Sequence, residues 1–189
     1  MAKIIVSENV TLDGSIQDPT GDEGLGRGPW AELESKDQQA WATFFTDEAL
    51  ASEAMLLGRR TYEYFAGRFP SRTGAWADRL NTMPKYVVSA TLQAAEWNNS
   101  TVLTGDVLDD VSKLKDNLAG DIVVYASGGL VPTLLEHDLV DELRLMTFPC
   151  VLGAGDHLFG KTSAKKPLRL VNARTVGDSL VLLTYQLIR

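Results

Sequence analysis

The sequence predicts an α/β domain: a mixed, mostly parallel sheet flanked by helices, with an antiparallel strand at its C-terminal end. Three observations carry this expectation. Apolar, β-branched runs alternate with segments of helical spacing along the chain. Most of those runs, such as Ile4–Ser7 and Ile122–Tyr125, are continuous rather than alternating, as expected of strands covered on both faces. Near the C-terminus, Val176-Gly177-Asp178 separates two strand-like runs and reads as a hairpin turn.

Taken in order, the first strand is Ile4–Ser7. A helix over 36–50 carries Trp41, Phe44, Phe45 and Leu50 at helical spacing. Ala54–Leu57 is the next strand and Arg59–Phe65 a short helix. Lys85–Ser89 and Thr101–Leu103 are strands. Asp109–Leu118 is helical, with Val111, Leu114 and Leu118 on one face, an Asp at its N-cap and Gly120 past its end. Ile122–Tyr125 is a strand, Leu130–Glu136 a helix, and Glu142–Phe148, Leu168–Val171 and Ser179–Leu187 are the remaining strands. Two long loops interrupt the series, at 13–35 and 66–84. Loops of such length in a compact domain are usually functional or disordered, and Trp30 and Trp76 argue against plain disorder. No linker breaks the composition, so residues 1–189 form one domain.

The chain has 189 residues, 44% hydrophobic and 23% charged, an ordinary soluble composition with no run long enough for a membrane span. Its net charge of −7 disfavours a general nucleic-acid binder. The N-terminus reads as a strand rather than a signal peptide, and Cys150 is the only cysteine, so a cytoplasmic protein is expected. Cys150, His137 and His157 lack metal-ligand spacing, and no metal is expected.

Three turns after different strands could carry chemistry. In "VVYASGGLVPTLLE", Ser127-Gly128-Gly129 joins a strand to a helix, where backbone N–H groups and the helix dipole favour an anion and glycine permits close approach. A tight turn explains it equally well. In "LLGRRTYEYF", Gly58 precedes Arg59-Arg60-Thr61 at a helix start, two guanidiniums and a hydroxyl suited to phosphate. The alternative is a solvated charged turn. In "NVTLDGSI", Asp13-Gly14 is a turn that could form a ledge beside a ligand. Ligands of open α/β sheets bind beyond the carboxyl ends of the strands. Three such turns there suit a dinucleotide better than any one alone.

The order "TLDG", "LLGRRTYE", "KYVVSATL", "IVVYASGG", "DELRL" and "VLGAGDHLF" resembles the dihydrofolate reductase-like superfamily. It looks closest to the reductase domain of bifunctional riboflavin-biosynthesis deaminase–reductases in stand-alone form, over nearly the whole chain. The resemblance implies a three-layer dihydrofolate reductase-like fold and NADPH as cofactor. By motif, Gly58, Arg59, Arg60 and Thr61 would hold the 2′-phosphate side, and Ser89, Ala90 and Thr91 would line the adenosine half. Ser127, Gly128, Gly129 and Leu130 would cradle the pyrophosphate, with a cis peptide at the paired glycines as in related folds. Val10, Thr11 and Gly14 would lie near the nicotinamide. Asp37 is the nearest match to the acid that anchors the pterin in folate reductases, and it also suits the first turn of a helix. Arg27, Arg68 and Arg72 are candidates for a substrate phosphate.

The function so implied is an NADPH-dependent reductase of a small heterocycle, resembling dihydrofolate reductase or 5-amino-6-(5-phosphoribosylamino)uracil reductase. Asp13, Trp30 and Phe44 would line the substrate side, and no side chain stands out as a proton donor. The other reading is an NADP(H)-binding regulatory or sensor protein without efficient turnover. Family relatives often pair, so a homodimer is expected.

Overall fold

The computed structural model describes residues 1–188. The first strand, β1 (Ile4–Thr11), is followed by a long loop and then α1 (Ser35–Ala51), β2 (Ala54–Gly58), α2 (Arg59–Ala66), α3 (Ala75–Thr82), β3 (Lys85–Val88) and β4 (Ser100–Leu103). The second half comprises α4 (Val107–Asn117), β5 (Ile122–Tyr125), α5 (Val131–Glu136), β6 (Glu142–Phe148), β7 (Leu168–Val176) and β8 (Leu180–Leu187). The eight strands form one sheet in the order β4-β3-β2-β5-β1-β6-β8-β7. The first six are parallel, β8 runs antiparallel to β6, and β7 closes the edge as the hairpin partner of β8.

The continuous apolar runs are explained by burial on both faces. On one face, Met55, Leu57, Val123 and Tyr125 pack with Phe45, Tyr62, Ala77 and Leu80 from α1, α2 and α3. On the other, Ile4, Val6, Leu56 and Val124 pack with Val111, Leu114, Val131 and Leu134 from α4 and α5. Each fully buried aliphatic side chain contributes about 1.5–3 kcal/mol before entropy is counted.

Several boundaries differ from the sequence reading. Strand β1 runs on to Thr11 because Glu8–Thr11 keep pairing with β6 after β5 has ended. Helix α4 begins at Val107, since Asp106 rather than Asp109 caps it through the N–H groups of Leu108 and Asp109. Helix α3 lies inside the expected 66–84 loop, where flanking Gly74 and Pro84 disguised the spacing of buried Ala77 and Leu80. Leu50 is exposed, and Ala49 completes the buried stripe of α1 instead. Strand β7 extends to Val176 with polar residues because its pairing is to β8 alone and its side chains as far as Thr175 are exposed. Among the described residues, no helix is long and apolar enough to cross a membrane.

Two polar anchors fix α1. Buried Glu48 accepts from Arg144 on β6 at 2.9 Å, and Arg144 also meets Glu142 at 2.7 Å. Burial raises the Glu48 carboxyl, opposed by Ser7, Arg144 and Tyr125. Asp37, in the first turn, accepts from the Asp178 N–H and the Ser179 hydroxyl. These bonds hold its carboxyl below the usual carboxylate range. Gly177, at φ 64°, sits so close that a Cβ there would strike Asp37. The side chain proposed from sequence as a catalytic acid therefore clamps α1 to the β7–β8 turn. We expect Asp37→Ala to lower the melting temperature by a few degrees while leaving nucleotide affinity within twofold of wild type, as read by calorimetry. A large loss of nucleotide affinity at unchanged stability would contradict this assignment.

Candidate functional site

Strands β1 and β5 are neighbours, yet the chain leaves them for opposite faces: through α1 after β1, and through α5 after β5. Ligand crevices form at such a switch point. Here β5 stops beside Ser7 and β1 continues. A cleft of about 940 Å³ opens across these strand ends, near the upper limit for small-molecule sites.

The turn after β5 is braced against the turn after β2. Ser127 Oγ accepts from the Gly58 N–H at 3.0 Å and donates to the Tyr125 carbonyl at 3.0 Å. The Ser127 N–H donates to Thr61 Oγ1 at 3.0 Å. Ala126 (φ 49°) and Ser127 (φ 61°) both occupy the left-handed region, a strain held by these bonds. The result places Gly58, Arg59, Arg60 and Thr61 next to Ser127, Gly128, Gly129 and Leu130 along one wall. The Gly128 and Gly129 N–H groups have no hydrogen-bond partner among the described residues. A Cβ at Gly129 would meet only open space, so this backbone is free to be approached. Every peptide bond among the described residues is trans, including Gly128-Gly129, contrary to the cis bond the resemblance implied.

The opposite wall is aromatic. Trp41, Phe45, Tyr64, Phe65, Phe69 and Trp76 face the cleft. Trp41 and Trp76 meet edge-on at 5.3 Å, as do Phe69 and Trp76. The Trp41 indole donates to Asn9 Oδ1 at 3.0 Å. The Trp76 indole nitrogen is buried without a partner among the described residues. Of the three arginines considered for a substrate phosphate, Arg68 is held by Asp22 at 2.7 Å and stacked on Tyr64. Arg27 does not face the cleft, whereas Arg72 does, from above Phe69.

The floor comes from the end of β1. Ser7, Glu8 and Asn9 line it with Tyr125. The Tyr125 phenol is kept protonated well above its ordinary range by burial and by the adjacent Glu48. Glu8 is 7% exposed and its Oε1 accepts from the Asn9 N–H at 3.1 Å. Its Oε2 has no partner among the described residues. Burial pushes its carboxyl up to about 8.

The remaining sequence candidates lie off the cleft wall. Val10 is buried in the α4–α5 core. The Thr11 hydroxyl donates to Asp13, and the Gly14 carbonyl accepts from the Leu158 N–H. Asp13 accepts from the Leu152 and Gly153 N–H groups, and it is held well below the usual carboxylate range by Thr11 first and then by these two amides. Its work is to tie the glycine-rich 150–158 segment to the first turn. Trp30 donates to the Gln17 carbonyl at 2.7 Å and packs edge-on against Phe148. Phe44 packs on Phe45. Ser89 Oγ accepts from the Thr91 and Leu92 N–H groups, so 89–91 form a turn, while neighbouring Val88 reaches the cleft. The sequence reading missed Glu8, Trp41, Tyr64 and Trp76.

This architecture is the dihydrofolate reductase-like fold: an α/β domain with a mostly parallel eight-stranded sheet and an antiparallel C-terminal strand pair. Residues 2–182 match the RibD C-terminal domain, and the chain belongs to that family. Protein YyaP of Bacillus subtilis strain 168, which is uncharacterized, is 29% identical over 97% of this chain and 94% of its own. A crystal structure of a protein provisionally assigned to riboflavin biosynthesis, from Shewanella sp. PV-4, superimposes with a TM-score of 0.74 at 22% identity, covering 100% of both chains. Dihydrofolate reductase from Enterococcus faecalis, complexed with NADP(H), superimposes with a TM-score of 0.62 at 14% identity, covering 99% of this chain and 97% of that one.

The Ser127 brace is testable. Ser127→Ala strands the Gly58 N–H, and we expect a loss of about 1–3 kcal/mol in urea unfolding. Thr61→Val removes the acceptor of the Ser127 N–H and should cost a similar amount. Unchanged stability in both variants would show that the two turns are held by other contacts.

Proposed function

We propose that this protein is an NADPH-dependent reductase of a small, flat heterocycle. The observation that carries the reading is the wall formed by two adjoining turns, one with free glycine amides and the other with two guanidiniums, beside an aromatic pocket. Arg59 is half exposed, and among the described residues its acidic contact is a loose one with Glu63 at 3.6 Å, so both Arg59 and Arg60 can turn to a 2′-phosphate. The Gly128 and Gly129 amides suit a diphosphate, which the missing side chain of Gly129 lets approach, while Gly128 makes room for Ile16. The NADP(H)-bound relative with the same fold supports this cofactor. When bound, reduced nicotinamide supplies a hydride.

The protein's part is to bind, orient and exclude water. The trans glycine turn and the α2 N-terminus would hold the dinucleotide along the β2–β5 side. The aromatic residues of α1, α2 and α3 would take the flat ring, and Arg72 would take an anionic tail. Calorimetry should show tight NADPH binding, weak NADH binding, and loss of that preference in Arg59→Ala/Arg60→Ala. Removing charge-assisted hydrogen bonds of about 1.5–3 kcal/mol corresponds to about 10–100-fold in affinity. No binding of either nucleotide would end the reductase reading. Stereospecific hydride transfer to a heterocyclic acceptor would separate an enzyme from a nucleotide sensor.

The proposal extends to a homodimer. Strand β7 is an outer edge strand with Leu170 and Val171 about half exposed, and such an edge is a template for pairing. Sedimentation should give twice the 20.6 kDa chain mass. A monomer across working concentrations would refute it.

A further inference from the structure

We propose that Asn81 and Lys85, which lie outside the cleft, are positioning residues for its aromatic wall: together they hold Trp97 against Phe69 and so set how firmly the wall grips a flat ring. This inference rests on the reading of that wall as the seat of the heterocycle, and it names the residues that set its grip.

The contacts form a column running inward from the cleft. Phe69 lines the cleft, meets Trp76 edge-on and carries the Arg72 guanidinium over its ring at 5.2 Å. Away from the cleft, buried Trp97 stacks on Phe69 with centroids 6.1 Å apart and planes 24° from parallel. The Lys85 ammonium stands 4.4 Å from the centroid of the Trp97 indole. Asn81 ties the two rings together. Its Oδ1 accepts from the Trp97 indole N–H at 2.7 Å, and its Nδ2 donates to the Phe69 carbonyl at 2.9 Å. One orientation of the amide satisfies both, because an indole N–H can only donate and a carbonyl can only accept. The Asn81 carbonyl in turn accepts from Lys85 Nζ at 3.5 Å, beside the Met83 carbonyl at 2.8 Å.

Lys85 is the costly member of this column. It is 1% exposed, and its ammonium meets two carbonyls and an aromatic face rather than a carboxylate. A buried cation without a counter-charge lowers stability, and an apolar side chain would fill the position at less cost. Val87, next on the same face of β3, is such a residue. What the ammonium supplies instead is attraction for the electron-rich indole face, which pins the ring that backs Phe69.

The charged groups on the surrounding elements do not offset it. Asp78 of α3 and Glu96 beside Trp97 are exposed. Glu53, before β2, accepts from the Ala119 and Gly120 amides, and the Tyr62 phenol of α2 accepts from the Trp97 N–H. Arg79 of α3 adds a like charge. Burial first, and Arg79 second, bring the Lys85 ammonium down to about 8. The wall is therefore pinned at neutral pH and released as pH rises through that value. Global stability moves the other way. The unfolded chain keeps the proton to higher pH than the folded one, so stability rises with pH between about 8 and the ordinary lysine range. A lysine that served the core alone would not oppose these two trends.

The test uses the full chain with fluorotryptophan at its four tryptophans. The Trp97 and Trp76 resonances are identified by their loss in Trp97→Phe and Trp76→Phe. In the wild type both should shift with one midpoint near 8, and in Lys85→Met neither should. Flavin mononucleotide and 7,8-dihydrofolate serve as flat-ring probes, titrated by calorimetry. Wild-type affinity for the ring should fall about three- to tenfold as pH rises through that midpoint, while the urea midpoint holds or rises. Lys85→Met should show the weaker affinity at every pH, with unchanged or higher stability and NADPH affinity within twofold of the wild type. Asn81→Ala should grip the ring more weakly still; if that variant does not fold, Lys85→Met carries the test. Ring affinity and a pH profile in Lys85→Met that match the wild type overturn the proposal. So does a Trp76 resonance indifferent to the titration of Trp97, and so does a ring affinity that falls only in step with stability. A wild type that binds neither ring overturns the seat of the heterocycle and this proposal with it. A wild type that binds a ring but no NADPH ends the reductase reading alone.

Discussion

Strand β5 ends at Tyr125 while its neighbour β1 runs on to Thr11, and the rest of the site depends on that mismatch in length. The backbone of β1 beyond Ser7 keeps β6 on one side and loses its partner on the other. The connections from β1 and β5 leave for opposite faces, so neither covers the gap. What fills the edge of the gap is the left-handed turn at Ala126-Ser127. The Ser127 side chain and amide secure it to the turn after β2. The strain at these two residues is maintained by bonds to a different part of the chain. That coupling turns two separate loops into one rigid wall.

The distribution of acids follows from the same frame. In a chain of net charge −7, most carboxylates are either solvated or engaged in holding elements together. Asp13 and Asp37 each accept backbone amides from segments far along the chain, and each is pulled into its charged form. Glu48 faces Arg144. Glu8 differs in having burial without a cation, which favours the neutral acid. Carboxyls of similar intrinsic acidity thus acquire different protonation states from their surroundings alone. The guanidiniums divide in the same way. Arg68 and Arg144 are held in close ion pairs, and Arg59, with a loose contact to Glu63, faces the cleft with Arg60 and Arg72.

Much of the fold was legible because its strands are buried on both faces. Continuous runs such as Ala54–Leu57 and Ile122–Tyr125 leave little choice of structure, and Gly177 marks the C-terminal hairpin. Elements that depend on partners were harder. The polar half of β7 and the last turn of β1 are strands only because β8 and β6 pair with them. Helix α3 is too short for its period to outweigh the glycine and prolines around it.

By itself, the sequence determined the α/β class, the alternation of its elements and the two glycine- and arginine-bearing turns, because these rest on local periodicity and on residue types with strong backbone preferences. Only the tertiary structure decided which acids are bonded and which are buried. Asp37 and Asp13 looked available and are bound by amides more than a hundred positions away. Glu8 lay just past the strand read from the sequence, and the structure buries it in the last half of β1 without a cation. Whether a carboxyl is solvated, bonded or bare is a property of the space around it, and that space is built from residues distant in the chain.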